Sequence, residues 1–127
     1  MSDDTGAPAI DATAFANLLE MTGGDQEFVD DLVDTYLAEG ETLVERLRSA
    51  ATGGDTSTDE LLRAAHSLKS SSLNVGALPL GELCRSLEAE ARGGPVADPG
   101  PRVDAIAAGF DDARRALLAE RAGRAPS

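Results

Sequence analysis

The sequence has very few of the side chains that usually carry chemistry. Its 127 residues include one His, one Cys and no Trp. A lone Cys cannot form an internal disulfide, and one Cys with one His cannot supply the usual ligands of a metal site. The phosphate-binding pattern GxxxxGK[ST] is absent as well, so nothing indicates an ATP site. We therefore expect a protein that is not an enzyme and has no cofactor or metal of its own.

Positive charge and long apolar stretches are also scarce. Asp and Glu outnumber Lys and Arg by 23 to 11, which gives a formal charge of −12. Binding to nucleic acid or to an anionic membrane surface depends on Lys and Arg, so we expect neither partner. No stretch approaches the roughly 18 apolar residues of a spanning helix, and the first residues resemble no secretory signal. We expect a cytoplasmic protein, and a monomer.

What the sequence does contain is apolar residues at spacings of three and four along most of its length, the pattern of amphipathic helices. Asp11 and Asp25 are suited to cap the first two helices, and Gly76 to end the third. Gly40 interrupts the second helix, which predicts a bend or a close helix contact there. The predicted helices run from Asp11 to Gly23, from Asp25 to about Ala51, from Ser57 to about Val75, from Pro79 to Gly93 and from Pro99 to about residue 120.

Short connections between such helices favour antiparallel neighbours. We therefore predict an all-α fold, an antiparallel up-down four-helix bundle with an additional short N-terminal helix. Residues 1–9 are expected to be a flexible N-terminal segment, 10–120 the bundle domain and 121–127 a flexible C-terminal tail. In the fourth helix we expect Cys84 to be a core residue, and the buried side to hold Leu80, Leu83, Leu87 and Ala91.

The only His and the only Lys stand three positions apart, at His66 and Lys69. At about 100° per residue, Leu68 lies roughly 160° from His66 around the third helix, so a core that buries Leu68 leaves the imidazole outside. Lys69 and Ser70, at i+3 and i+4, lie beside the ring. A neutral imidazole is a good nucleophile near pH 7, since its unperturbed pKa is about 6.5.

The residues around His66 resemble the signature of histidine-containing phosphotransfer (HPt) domains, roughly His-x-Leu-Lys-Gly with another Gly ten residues after the His. This chain has His66-Ser-Leu-Lys-Ser70 and, ten residues on, Gly76. Residues 18–28 and 83–88 are also similar to the flanking helices of that family. The resemblance covers roughly residues 10–119. Ser70 is a departure, because the family usually has Gly there.

The resemblance implies the same bundle fold and a role in phosphorelays. His66 would accept a phosphoryl group from the aspartyl phosphate of a response-regulator receiver domain, on Nε2, and pass it to another receiver. The residues alone do not decide between the two ring nitrogens. Lys69 would stabilise the phosphoryl group, and Mg²⁺ would be held by the partner receiver.

A receiver would dock around the imidazole, where two leucines at i−4 and i+7 form an apolar rim that a solvated face does not need. The expected docking residues are Leu62, Arg63, Ser70 and Leu73. Phosphate would originate from a hybrid or separate histidine kinase. Two alternatives stay open: a phosphoacceptor domain fed by a separate chemotaxis-type histidine kinase, and a receiver-binding bundle that is not phosphorylated.

Overall fold

Residues 9–53 and 57–124 are described by a computed structural model, and within these ranges all regular structure is helical. The all-α class is therefore confirmed. The helices are α1 (Ala12–Met21), α2 (Gln26–Ala51), α3 (Ser57–Asn74), α4 (Leu78–Arg92) and α5 (Pro99–Arg124). In this part of the chain, no helix combines the length and the apolar character needed to cross a membrane.

The first two helices begin at the caps that the sequence predicts. The Asp11 carboxylate accepts a hydrogen bond from the backbone N–H of Ala14 at 2.8 Å, and the Asp25 carboxylate accepts one from Phe28 at 3.2 Å. Each bond satisfies a backbone donor that has no partner inside its helix.

The turn between α3 and α4 depends on Gly76. Its φ of 84° lies in the left-handed region that other residues rarely adopt. The Gly76 carbonyl also accepts a hydrogen bond from the Asp11 backbone N–H at 2.7 Å. This bond connects the start of α1 to the end of the His-bearing helix.

Helices α2 to α5 pack in a closed cycle, in which α2 contacts α3, α3 contacts α4, α4 contacts α5 and α5 returns to α2. Neighbouring helices meet in opposite order: as residue numbers rise along one helix, the numbers of the residues it contacts on the other helix fall. Such pairs are Tyr36 with Ser72 and Arg46 with Glu60, and Gly40 with Phe110 and Asp34 with Arg121.

Gly40 marks a close contact, one of the two outcomes expected for it. A Cβ at this position would overlap the ring of Phe110 on α5. The absent side chain therefore lets α5 approach α2, and Tyr36 one turn earlier packs its ring against the same Phe110 at 5.8 Å. On α5, five apolar residues at spacings of three and four are all buried: Val103, Ile106, Phe110, Ala113 and Leu117.

One sequence prediction about the fold is wrong, and α5 is longer than predicted. Leu83, assigned to the buried side of α4, is exposed, whereas Leu80, Leu87 and Ala91 are buried as predicted. The last helix, predicted to end at about residue 120, continues through residues 121–124. Arg121 holds this last turn to α2 through a 2.6 Å ion pair with Asp34. The predictions for residues 1–8 and 125–127 lie outside the described residues.

Candidate functional site

His66 lies in the middle of α3 on the side away from its buried stripe. Leu61, Ala65 and Leu68 are buried on that stripe, whereas 54% of the His66 side chain is exposed. The predicted helical phase is therefore confirmed. A half-exposed imidazole in mid-helix is accessible to a partner and is fixed in place by the surrounding turns.

The ring is nevertheless bonded to the neighbouring helix. His66 Nδ1 lies 2.8 Å from Oε2 of Glu88 on α4. The Glu88 side chain is only 4% exposed, and a buried charge of this kind is stable only when it is paired and hydrogen-bonded.

Glu88 is paired with two permanent cations. Its Oε1 lies 2.6 Å from Lys69 Nζ, and its Oε2 lies 2.6 Å from Arg92 Nη2. Desolvation alone would raise the pKa of this carboxyl, but the bonds from Lys69, Arg92 and His66 outweigh it and lower the pKa to about 2. Glu88 is therefore ionised at neutral pH.

The ionised carboxylate determines which nitrogen of His66 carries the proton. A carboxylate can only accept hydrogen bonds, so Nδ1 must be the donor in the 2.8 Å contact with Glu88. In the neutral ring the lone pair is then on Nε2. The contact with Glu88 thus distinguishes the two ring nitrogens, which the residues alone did not.

Lys69 is beside the imidazole, as its spacing predicts, and it is engaged with Glu88. Its side chain is 22% exposed, so its charge is partly desolvated. Lys69 and His66 both contact the Glu88 carboxylate. This shared partner sets the distance between the Lys69 ammonium group and the imidazole ring.

The four predicted docking residues do not have equal exposure. Ser70 and Arg63 are exposed, and Arg63 forms a 3.2 Å ion pair with Asp59. Leu62 is half-buried, and Leu73, also half-buried, packs over Gly81 of α4. Leu73 therefore contributes to helix packing as well as to the surface.

Leu73 also borders an apolar groove that the sequence did not reveal. The groove has a volume of about 520 Å³ and lies between α1, α2 and α3. Its walls include Leu18, Met21 and Leu32, and Met21 is 82% exposed. The groove thus extends an accessible apolar surface from the His-bearing helix to α1.

Glu88 and Arg92 are the residues that sequence reasoning missed as site candidates. Glu88 was noted only as part of a flanking segment, although it follows Gly81 and Cys84 at helical spacing, on a side of α4 that is buried. An acidic residue on the same side of a helix as two small residues is a signal that could have identified Glu88. Cys84 is buried as predicted, and desolvation raises the pKa of its thiol to about 12, which makes it a poor nucleophile.

Two comparisons relate the chain to known proteins. The model of the Hpt domain family matches residues 31–116. A crystal structure of histidine-containing phosphotransfer protein B (HptB) from Pseudomonas aeruginosa PAO1 is similar, with a TM-score of 0.82 and 29% identity, over 94% of this chain and 100% of that chain. No curated protein sequence matches the chain.

Because the family match spans more than half of the sequence, the chain belongs to the Hpt domain family. Hpt domains are phosphoryl carriers that act in phosphorelays of two-component signal transduction. They interact with receiver domains and with histidine kinases.

Proposed function

We propose that this protein accepts a phosphoryl group on His66 from the aspartyl phosphate of one receiver domain and passes it to the aspartate of another. The observation that carries this proposal is the 2.8 Å hydrogen bond between His66 Nδ1 and the buried Glu88 carboxylate. It orients the ring and keeps the lone pair on Nε2, as a nucleophile requires.

The transfer balances without any change in protonation at the ring. The Nε2 lone pair forms the bond to phosphorus while the phosphorus–oxygen bond to the aspartate breaks, and that electron pair returns to the carboxylate. Nδ1 keeps its hydrogen, bonded to Glu88. Lys69 supplies positive charge next to the incoming phosphoryl oxygens, and Mg²⁺ remains with the receiver. The protein needs no nucleotide site for this step.

The receiver would dock over His66, with Leu62, Arg63, Ser70 and Leu73 forming the contact surface near the ring. The apolar groove beside Leu73 would extend this surface toward α1. In support, Met21 exposes 82% of its surface at the groove, and exposed apolar side chains grouped in this way are typical of protein interfaces.

We further propose that α2 to α5 form an antiparallel up-down bundle, with α1 as the additional N-terminal helix. The contact cycle and the opposite order of the paired residues support this arrangement. A monomeric state, a cytoplasmic location, no membrane or nucleic acid partner and no kinase activity of its own remain predictions from the sequence.

The proposal is tested by mixing the purified protein with a labelled phospho-receiver and with candidate second receivers. We expect acid-labile label to appear on this chain and then on a second receiver. His66→Gln should take up no label while keeping wild-type circular dichroism, because a surface substitution changes stability by no more than about 0.5 kcal/mol.

Three outcomes would contradict the proposal. Label on His66→Gln would show that another residue accepts the phosphoryl group. Absence of label on the wild-type protein would favour the alternative of a receiver-binding bundle that is not phosphorylated. Label that arrives only from a separate histidine kinase with ATP would favour the kinase-fed alternative.

A further inference from the structure

The net negative charge of this protein comes entirely from the first part of its sequence. Residues 1–45 contain 12 acidic residues and no Lys, Arg or His, whereas residues 46–127 contain 11 acidic and 11 basic residues. In the part of the chain that the structure describes, this acidic stretch forms α1 and most of α2. The side of the molecule formed by α1 and α2 therefore has a negative potential.

The apolar groove lies on the same two helices. Leu18 and Met21 of α1 and Leu32 of α2 contribute to its apolar wall, and Leu73 joins the groove to the His-bearing helix. A partner that covers this wall removes apolar area from water, which favours binding.

Three exposed carboxylates border the groove, and we name them the acidic rim: Glu20, Asp31 and Glu39. Glu39 is itself part of the groove wall. Glu20 follows the wall residue Asn17 by three positions, and Asp31 precedes the wall residue Thr35 by four. Residues at these spacings are neighbours on a helix surface, so both carboxylates lie next to the wall.

The acidic rim is not neutralised by the cations of the described residues. Within these residues, none of its three carboxylates is in an ion pair, whereas Asp30 and Asp34 of α2 both pair with Arg121. The groove is thus an apolar surface bordered by unpaired negative charge. A partner that presents apolar side chains next to Lys and Arg complements both features.

We propose that the groove and its acidic rim select the receiver: they bind one whose docking face presents apolar side chains flanked by Lys and Arg, and disfavour one with acidic flanks. The inference rests on the proposed function and names the kind of receiver that the docking surface takes. A second copy of this protein is a poorer occupant. Its α1 and α2 repel the groove, and the rest of its chain has no net positive charge.

The rim charges act before contact, so their main effect is on the rate of association. Complementary charges raise association rates by about tenfold to a thousandfold. Salt reduces this effect, because it shortens the range of exposed charges from about 30 Å at 0.01 M to about 8 Å at 0.15 M. The rim carboxylates are on α1 and α2, whereas the imidazole is bonded to α4. The rim therefore affects which receiver arrives and leaves the transfer step unchanged.

A synthetic amphipathic helix tests the surface without any phosphoryl chemistry. The probe has Leu at spacings of three and four with Lys on both flanks, and a second peptide has Glu in place of Lys. We expect the Lys peptide to bind more tightly at about 0.01 M than at about 0.15 M salt, measured by calorimetry, with amide NMR shifts changing around Met21. The Glu peptide should not bind. Equal binding of the two peptides, or shift changes confined to other helices, would overturn the inference.

Two triple variants separate the rim from the overall charge. The rim variant carries Glu20→Gln, Asp31→Asn and Glu39→Gln. The control variant removes three exposed carboxylates that do not line the groove: Glu27→Gln, Glu41→Gln and Asp104→Asn. Both variants should keep wild-type circular dichroism, since all six positions are exposed. We expect the rim variant to bind the Lys peptide about tenfold more weakly and the control variant to bind it nearly as the wild type does. Equal losses would show a general charge effect and overturn the inference.

The same variants separate this inference from the proposed function. Phosphoryl transfer is measured from the receivers that label the wild-type protein. At low receiver concentration the rim variant should be labelled about tenfold more slowly than the control variant, and at saturating receiver the two rates should converge. Equal rates at low concentration would overturn this inference alone. No label from any receiver would overturn the proposed function on which it rests. A wild-type dimer that Met21→Ala dissociates would assign the groove to a second copy and also overturn the inference.

Discussion

His66 and Glu88 are separated by 22 positions in the sequence, yet Nδ1 of one lies 2.8 Å from Oε2 of the other. One side chain is more than half exposed and the other is almost fully buried. The contact therefore joins an accessible imidazole on α3 to a carboxylate buried at α4. The buried carboxylate therefore orients the ring from inside the protein.

The first prediction concerns Lys69. Lys69→Ala removes the α3 cation that shares the Glu88 carboxylate with the ring, so the transferred phosphoryl group loses a charge-assisted contact. Receiver-to-protein transfer should slow about tenfold for each 1.4 kcal/mol lost, measured by rapid-quench labelling, with helical content unchanged. Arg48→Ala removes an exposed cation of α2, paired with Glu45, and should leave the rate unchanged. Equal transfer rates in Lys69→Ala and Arg48→Ala would show that Lys69 does not stabilise the phosphoryl group.

A second prediction follows from Ser70, which is exposed one turn after His66. If its side chain hinders close approach of the receiver backbone, Ser70→Gly should tighten receiver binding, measured by calorimetry. The variant should also lose about 1 kcal/mol of stability, since Gly is unfavourable inside a helix. Ser49→Gly on α2 supplies the same change away from the site. Weaker binding by Ser70→Gly would mean that the hydroxyl contributes a contact of its own.

The apolar groove provides a third prediction. Met21→Ala should weaken receiver binding several-fold, because 82% of Met21 is exposed where it lines the groove and removal of buried apolar area lowers affinity. Phe28→Ala is the matched control: Phe28 is also a large exposed side chain, 50% accessible, but is not part of the groove wall. A larger effect at Phe28 would place the docking surface elsewhere.

The fourth prediction concerns stability in acid. Since the folded protein holds the Glu88 pKa at about 2, below its ordinary 4.5, this carboxylate contributes stability above about pH 4.5 that is lost as the pH falls toward 2. Glu88→Gln removes this dependence, so its unfolding free energy should fall less steeply than that of the wild type over this interval. Urea titrations at pH 5 and pH 3 measure the difference. Identical slopes would show that Glu88 is not held in its charged form.

The helix boundaries were predictable because local chemistry determines them. Asp11 and Asp25 cap helices from one position before the first turn, and Gly76 ends a helix through its own backbone angle. The exposure of His66 likewise follows from its angle to Leu68 on one helix. Each of these features depends on residues that are close in sequence.

The failures concern contacts between distant segments. Apolar residues at spacings of three and four along α4 mark one side of the helix, but the spacing does not say which other helix each position meets. Leu83 was therefore predicted to lie in the core. Arg121 extends α5 by pairing with Asp34, 87 residues earlier. The pairing of His66 with Glu88 was missed for the same reason: the spacing along α4 can mark Glu88 as a buried acid, but it does not say which side chain of another helix Glu88 meets.

The packing of Leu73 over Gly81 has a consequence for the ring. A Cβ at Gly81 would overlap Leu73, so the absence of a side chain there sets how closely α3 and α4 approach. A shift of α4 by one residue would carry Glu88 about 1.5 Å along its axis, enough to break its bond to His66. The hydrogen bond between His66 and Glu88 therefore depends on how α3 and α4 are aligned. A substitution at Gly81, two turns before Glu88, would change the surroundings of the imidazole without touching it.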